Sequence, residues 1–151
     1  MIWMTSRAVE HRSSASRCPR ATSSVNARSV DPSIEIRETP IGDAWVRDSG
    51  PTFLTHPDGR LGATHWTFNG WGANAWATWE RDDKIARFVA EHSGAVHLPS
   101  PLVNEGGAIH VDGEGTVLLT ETVQLDPRRN PYATKERVEW ELRRTLHATT
   151  F

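Results

Sequence analysis

Only one cysteine, Cys18, occurs in the 151 residues. A single thiol cannot build an internal disulfide framework, so a disulfide-stapled secreted module is excluded. Long apolar runs are also missing, and a helix needs about 20 consecutive apolar residues to span a bilayer. Positive charge is not in excess. The formal net charge is −2, which excludes the broadly basic surface of a nucleic-acid-binding domain. What is present is 37% apolar residues, including seven tryptophans, in a chain of one-domain length that suffices for a real core.

Charge is distributed unevenly. Residues 1–30 carry Arg7, Arg12, Arg17, Arg20 and Arg28 against Glu10 alone, and seven serines. The rest of the chain carries a net charge of −6. The first segment has too little apolar surface to offset its ordering entropy, so residues 1–32 are expected to be a disordered leader. Its composition fits an organellar transit peptide or a leader without a targeting role. It lacks the apolar core of a secretory signal, and a cytoplasmic location is expected. Residues 33–151 form the folded domain in this reading, an acidic body that favours cationic ligands.

Periodicity predicts a mixed α/β chain. Ile34 and Ile36 alternate with polar residues as a short strand. Strands over Thr52–Thr55 and Leu61–Phe68 flank the Pro57-Asp58-Gly59 turn. Residues 69–78 form a Gly-rich loop. A helix from Arg81 to Ser93 starts on Asp82 and Asp83, presents Ile85, Phe88, Val89 and His92, and stops at Gly94. Ala95–Leu98 is a strand closed by Pro99. Ala108–Asp112 and Thr116–Glu121 pair about Gly113-Glu114-Gly115. A last helix, Thr134 to His147, carries Val138, Leu142 and Leu146 on one face. This order suggests repeated small α/β units rather than one doubly wound sheet, although no close internal sequence repeat supports them.

Three clusters could carry chemistry. In Gly42–Pro51, Trp45 precedes Asp48 by three residues: a flat cation could stack on the indole while the carboxylate accepts its N–H groups. The same residues also fit a turn capped by Asp48 with Trp45 in the core. In Asn104–Gly113, strand periodicity places His110 and Asp112 on one face, as an acid/base pair or as the solvent side of a hairpin. Gly106 and Gly107 permit close backbone approach there. Too few ligands stand at metal spacing. Phe68-Asn69-Gly70-Trp71-Gly72 would shape a substrate lid or cover a core edge, and it lacks the spacing and lysine of a phosphate loop.

Together Asp43–Thr52, Phe68–Gly72, Glu105–Thr116 and Arg129-Asn130-Pro131 resemble agmatine deiminases, of the peptidylarginine deiminase-like, guanidine-modifying superfamily, over Ile34 to Leu146. The Glu105-Gly106-Gly107…His110-Val111-Asp112 run is the most specific part. The resemblance implies a pentein fold, a five-bladed α/β propeller of which this chain would supply an incomplete part with open apolar edges. It implies hydrolysis of agmatine, a small cationic guanidino substrate, to N-carbamoylputrescine and ammonia in putrescine synthesis. No cofactor, metal, nucleic acid or membrane is implied; oligomeric state stays open, a homo-oligomer being one outcome. By the same resemblance Asp48 and Asp112 bind the guanidinium nitrogens, His110 is the general acid/base and Trp45 packs on the substrate. Glu105 lines the site, and Trp71 falls in the loop that would close over it.

The family's nucleophile is a cysteine in a Gly-rich segment near the C-terminus, and Cys18 matches no family motif. Residues before Ile34 do not resemble the family's N-terminal module. Two other readings stay open: a non-catalytic guanidine-binding or assembly fragment, and a peptidylarginine deiminase-type hydrolase. Without a positioned thiolate the covalent cycle cannot begin. The chain alone is therefore expected to release no N-carbamoylputrescine from agmatine in a colorimetric ureido assay. Turnover that survives Cys18→Ala would overturn this.

Overall fold

A computed structural model describes Asp31 and residues 33–151. The described residues fall into two units, Asp31 with 33–39 and 40–151. The expected leader lies outside the described residues apart from Asp31. In the smaller unit the Ser33 amide and hydroxyl both donate to Asp31 Oδ1. The strand expected at Ile34 and Ile36 does not form; both side chains are exposed and the backbone has no ladder partner. Alternation gives a strand only where a neighbouring strand accepts it.

The larger unit opens with a single turn, α1 (Val46–Ser49), followed by strands β1 (Thr52–Thr55) and β2 (Leu61–Thr67). These pair antiparallel from Thr52↔Thr64 to Thr55↔Leu61. The turn between them is fixed by Asp58, whose Oδ1 accepts the Arg60 amide, and by Gly59 at φ 87°. A second short turn, α2 (Gly70–Ala73), leads through a 3-10 turn at Asp82–Lys84 into helix α3 (Ile85–Ser93). Gly94 ends α3 in the left-handed conformation, as expected of that residue. The face α3 buries is Ile85, Ala86 and Ala90, with Phe88 and Val89 half-buried and His92 exposed. The expected stripe is thus turned toward the alanines. Asp82 and Asp83 also do more than favour the helix dipole. Asp82 accepts the Gly42 amide at 2.7 Å and Asp83 accepts the Phe68 amide at 2.9 Å.

Strand β3 (Val96–Val103) then lies parallel to β2, giving the sheet order β1-β2-β3. It runs through Pro99, where a strand end was expected, and through Pro101. Proline lacks the ladder donor, and a strand tolerates it at a sheet edge or an irregularity. β3 provides both: it is an outer strand of this sheet, and its pairing with β2 slips in register between His65 and Thr67 of β2.

After a 3-10 turn at Gly106–Ala108 come β4 (Ile109–Val111) and β5 (Val117–Leu119), paired antiparallel. The expected hairpin forms, with shorter strands. Glu121 falls outside it and starts a further turn, α4 (Glu121–Gln124). The C-terminal segment joins this hairpin, the Val117 amide donating to Thr150 O. Helix α5 (Lys135–Leu146) starts at Thr134, whose hydroxyl accepts the Arg137 amide. It buries Val138, Leu142 and Leu146, the expected face, and with them Glu141 and Thr145. The core joins Leu54, Trp66, Leu102, Ile109, Val117 and these α5 residues. No described helix is long and apolar enough to cross a membrane.

Glu141 enters the core with its partners. Its Oε1 accepts from Ser100 Oγ and from Arg144 at 2.6 Å each. Burial pushes its carboxyl upward, and the hydrogen bonds from Arg144 and Ser100 outweigh that, leaving it below the ordinary glutamate range. Leu142, fully buried at the centre of the cluster, is expected to cost about 2–5 kcal/mol when cut to alanine. A denaturant midpoint unchanged in Leu142→Ala would contradict this packing.

Candidate functional site

A polar cluster lies where α1, α2, the 3-10 turn at Gly106–Ala108 and the turn after α4 meet. The close approach expected at Gly106 and Gly107 is made against α1. A Cβ at position 106 would overlap the Arg47 carbonyl, and one at position 107 would overlap Asp48 Oδ1. Only glycine lets the two backbones meet. The contact also fixes Asp48: the Gly107 amide donates to its Oδ1 and the Trp71 indole Nε1 to its Oδ2, each at 3.0 Å.

Trp71 reaches Asp48 from an unusual backbone. Gly70, Trp71, Gly72 and Ala73 all have positive φ, from 54° to 92°. A left-handed turn is costly for residues with a Cβ, by roughly 1–2 kcal/mol each. Asn69 and Asn74 hold it, Asn69 Oδ1 accepting the Gly72 amide and Asn74 Nδ2 donating to the Trp71 carbonyl. The indole stacks on Trp76 at 5.4 Å and meets Phe68 edge-on at 5.1 Å. The Gly-rich loop expected here is thus an ordered aromatic platform whose polar edge faces a carboxylate.

Glu105 completes the cluster. It is 3% exposed and pairs with Arg129, whose Nε donates to Glu105 Oε1 at 2.8 Å. The same guanidinium donates through Nη1 to Asp126 Oδ2 at 2.6 Å, and Arg128 also pairs with Asp126. Burial pushes the Glu105 carboxyl upward; Arg129 opposes the rise and the nearby Asp48 charge adds to it. Asp126 is held down to about 2, first by its hydrogen bond from Arg128. Arg129 and Arg128 thus answer Glu105 and Asp126. Among the described residues Asp48 has no cationic partner, and its donors are a neutral indole and a neutral amide.

The other expected site residues stand elsewhere. Trp45, the N-cap of α1, is not in the core: it is 60% exposed. Asp48 lies in the α1 turn rather than capping a strand end. His110, exposed on β4, borders a neighbouring cleft of about 290 Å³ with Arg47, Pro51 and Phe53. The expected His110–Asp112 pairing is not made. Asp112 lies beyond the end of β4, and its Oδ1 accepts the Glu114 and Thr116 amides at 2.8 and 3.0 Å. Those bonds, the Glu114 amide first, hold its carboxyl below the ordinary range. Strand periodicity applies only while the strand continues, and the hairpin turn claims Asp112 first. Sequence reasoning gave no role to Arg129 or Asp126; the signal available was the Arg129-Asn130-Pro131 motif. Among the described residues no group of three or more His, Cys, Asp or Glu side chains is placed to hold a metal ion.

Known proteins share the sequence and fold of this chain. The sequence model of the Porphyromonas-type peptidyl-arginine deiminase family matches residues 4–151, so the similarity starts well before Ile34, where it was expected to begin. A Streptomyces avermitilis protein provisionally named an agmatine deiminase is 61% identical over 113 residues, 75% of this chain and 33% of that protein. The agmatine deiminase of Stutzerimonas stutzeri is 42% identical over 135 residues, 85% of this chain and 37% of that protein. The solved structure of Enterococcus faecalis agmatine deiminase superposes with a TM-score of 0.76 at 38% identity, covering 82% of this chain and 35% of the other. The chain spans about a third of the length of the curated relatives it matches.

The contact at Gly107 has a direct consequence. Gly107→Ala is expected to push Asp48 off its amide and lower stability by about 1–3 kcal/mol, the usual range for overpacking. A denaturation midpoint equal to that of the unsubstituted chain would show that α1 and the 105–108 segment are not held in contact.

Proposed function

The chain belongs to the Porphyromonas-type peptidyl-arginine deiminase family, and from that premise we propose that it carries the guanidinium-holding part of an agmatine deiminase. The whole enzyme, in this reading, hydrolyses agmatine to N-carbamoylputrescine and ammonia, supplies putrescine synthesis, and acts in the cytoplasm as a pentein, a five-bladed α/β propeller to which this chain contributes part. The observation that carries the proposal is Asp48, a carboxylate aimed by two neutral donors and left without a cation among the described residues. A carboxylate has about four acceptor positions, and Trp71 and Gly107 take two. A guanidinium is a flat, permanently charged fork that matches the remainder. It would also answer the charge that Arg129 and Arg128 leave unmatched.

The roles follow from the placement. Asp48 accepts the guanidinium N–H groups, with Glu105 as the second carboxylate of the site. Trp71 walls it, and the exposed Trp45 offers a face on which a cation stacks. Asp112 belongs to the hairpin turn. His110, with no carboxylate partner among the described residues, stays outside the holding set, so the acid/base role that the resemblance implies for it is not part of this proposal. A poor electrophile such as guanidinium gains from being fixed and polarised by carboxylates before any nucleophile attacks.

Calorimetric titration tests this. Agmatine is expected to bind at least tenfold more tightly than putrescine, which keeps the amine and lacks the guanidinium. Asp48→Asn is expected to cost roughly ten- to hundredfold in affinity, the worth of hydrogen bonds to a charged group. His110→Ala is expected to change affinity by less than about threefold, since it removes no hydrogen bond to an ion. Equal binding of agmatine and putrescine would overturn the proposal, and tighter binding of a peptidyl-arginine than of agmatine would move it to the peptide substrate.

A further inference from the structure

Arg129 is the group in this neighbourhood that the proposed function leaves unused. Its side chain is 10% exposed, and it bridges two carboxylates through separate nitrogens, Nε to Glu105 Oε1 and Nη1 to Asp126 Oδ2. Only a planar fork with fixed donor directions spans both; a lysine ammonium is a compact point charge. The aromatic turn rests on the same pair. A Cβ at Gly72 would stand 3.0 Å from Arg129 Nη1 and 3.2 Å from Asp126 Oδ2. Asn69 Nδ2 donates to the Arg128 carbonyl at 3.0 Å, tying the start of that turn to the same segment. Arg129 therefore contacts both Glu105 and the turn whose Trp71 aims Asp48.

We infer that Arg129 is a positioning residue for guanidinium binding, setting the aim of Glu105 directly and that of Asp48 through Gly72 and Trp71. It engages Oε1 of Glu105 through one nitrogen, and the Glu105 backbone amide is a second donor to the same carboxyl; a carboxylate has about four acceptor positions, so acceptor capacity remains for a ligand. Arg129 and a ligand cation can therefore share the Glu105 carboxylate. The inference rests on the guanidinium-holding reading above. It adds a residue that touches neither substrate nor reacting atoms.

The direction of its electrostatic effect is defined. Guanidinium binding needs Glu105 ionised, and burial raises its carboxyl while Arg129 opposes the rise. Removing the counter-charge lifts Glu105 further, so binding is lost at a higher pH as the solution is acidified. The test is agmatine titration of the full chain between pH 4.5 and 8, for the unsubstituted protein, Arg129→Lys, Arg129→Met and Glu105→Gln. Arg129→Lys, which keeps the charge and loses the fork, is expected to weaken binding about tenfold at pH 8 and to move the acid limb little. Arg129→Met, which removes the charge, is expected to move the limb clearly to higher pH, and Glu105→Gln to remove the part of the limb that Glu105 contributes. A merely structural role would lower affinity without moving the limb. One readout needs no variant: the Arg129 Nε–H resonance is expected to shift when agmatine saturates the unsubstituted chain. An unmoved limb in Arg129→Met, or an unmoved resonance on saturation, overturns the inference alone. If the unsubstituted chain fails to bind agmatine, the reading beneath it falls as well.

Discussion

Glu105 can be kept 3% exposed only if a cation follows it inward. An isolated carboxylate in a protein interior costs several kcal/mol or neutralises itself. The guanidinium of Arg129 meets that demand, and because it is a fork it recruits Asp126 as well. Much of the site follows from this pair. It places the turn after α4 against the 105–108 segment, supports the left-handed turn at Gly72, and so brings Trp71 within reach of Asp48. Once Arg129 and Arg128 are engaged, the cluster keeps one carboxylate with neutral donors only. That imbalance is the chemical character of the site.

Backbone chemistry is the second constraint. Close contact between α1 and the 105–108 segment requires that Gly106 and Gly107 carry no Cβ. The turn at Gly70–Ala73 takes positive φ at four successive residues, two of them with side chains. Such strain persists where the surroundings over-determine it, and it collects at binding sites. Here it is held by two asparagines, by aromatic contacts with Phe68 and Trp76, and by the Arg129 pair beneath. The result is an indole whose N–H points at a carboxylate. A relaxed loop would lack that fixed aim.

Local order was legible in the sequence wherever one residue dominates its surroundings. Pro57-Asp58-Gly59 announced the hairpin, Gly94 the end of α3, and Val138, Leu142 and Leu146 the buried face of α5. Gly106 and Gly107 announced a close approach, though not what would approach. Expectations failed where a neighbour decides. Ile34 and Ile36 alternate but have no partner strand. β3 continues through two prolines because it lies at the sheet edge. Asp112 was placed beside His110 by a strand that ends one residue too early, at Val111.

By itself, then, the sequence determined the α/β character, the hairpin turns, the buried face of α5 and the family motifs, because these depend on side-chain chemistry and on spacing along the chain. It also supplied Asp48, Glu105 and Trp71 as candidates. Only the tertiary structure decided which of them meet: Asp48 and Glu105 stand 57 positions apart along the chain, and Trp71 and Arg129 stand 58 apart. A carboxylate's role depends on the donors and charges around it. Those neighbours come from segments distant in sequence, so among the described residues Asp48 was left without a cation, Glu105 was paired by Arg129, and Asp112 was bound into a turn.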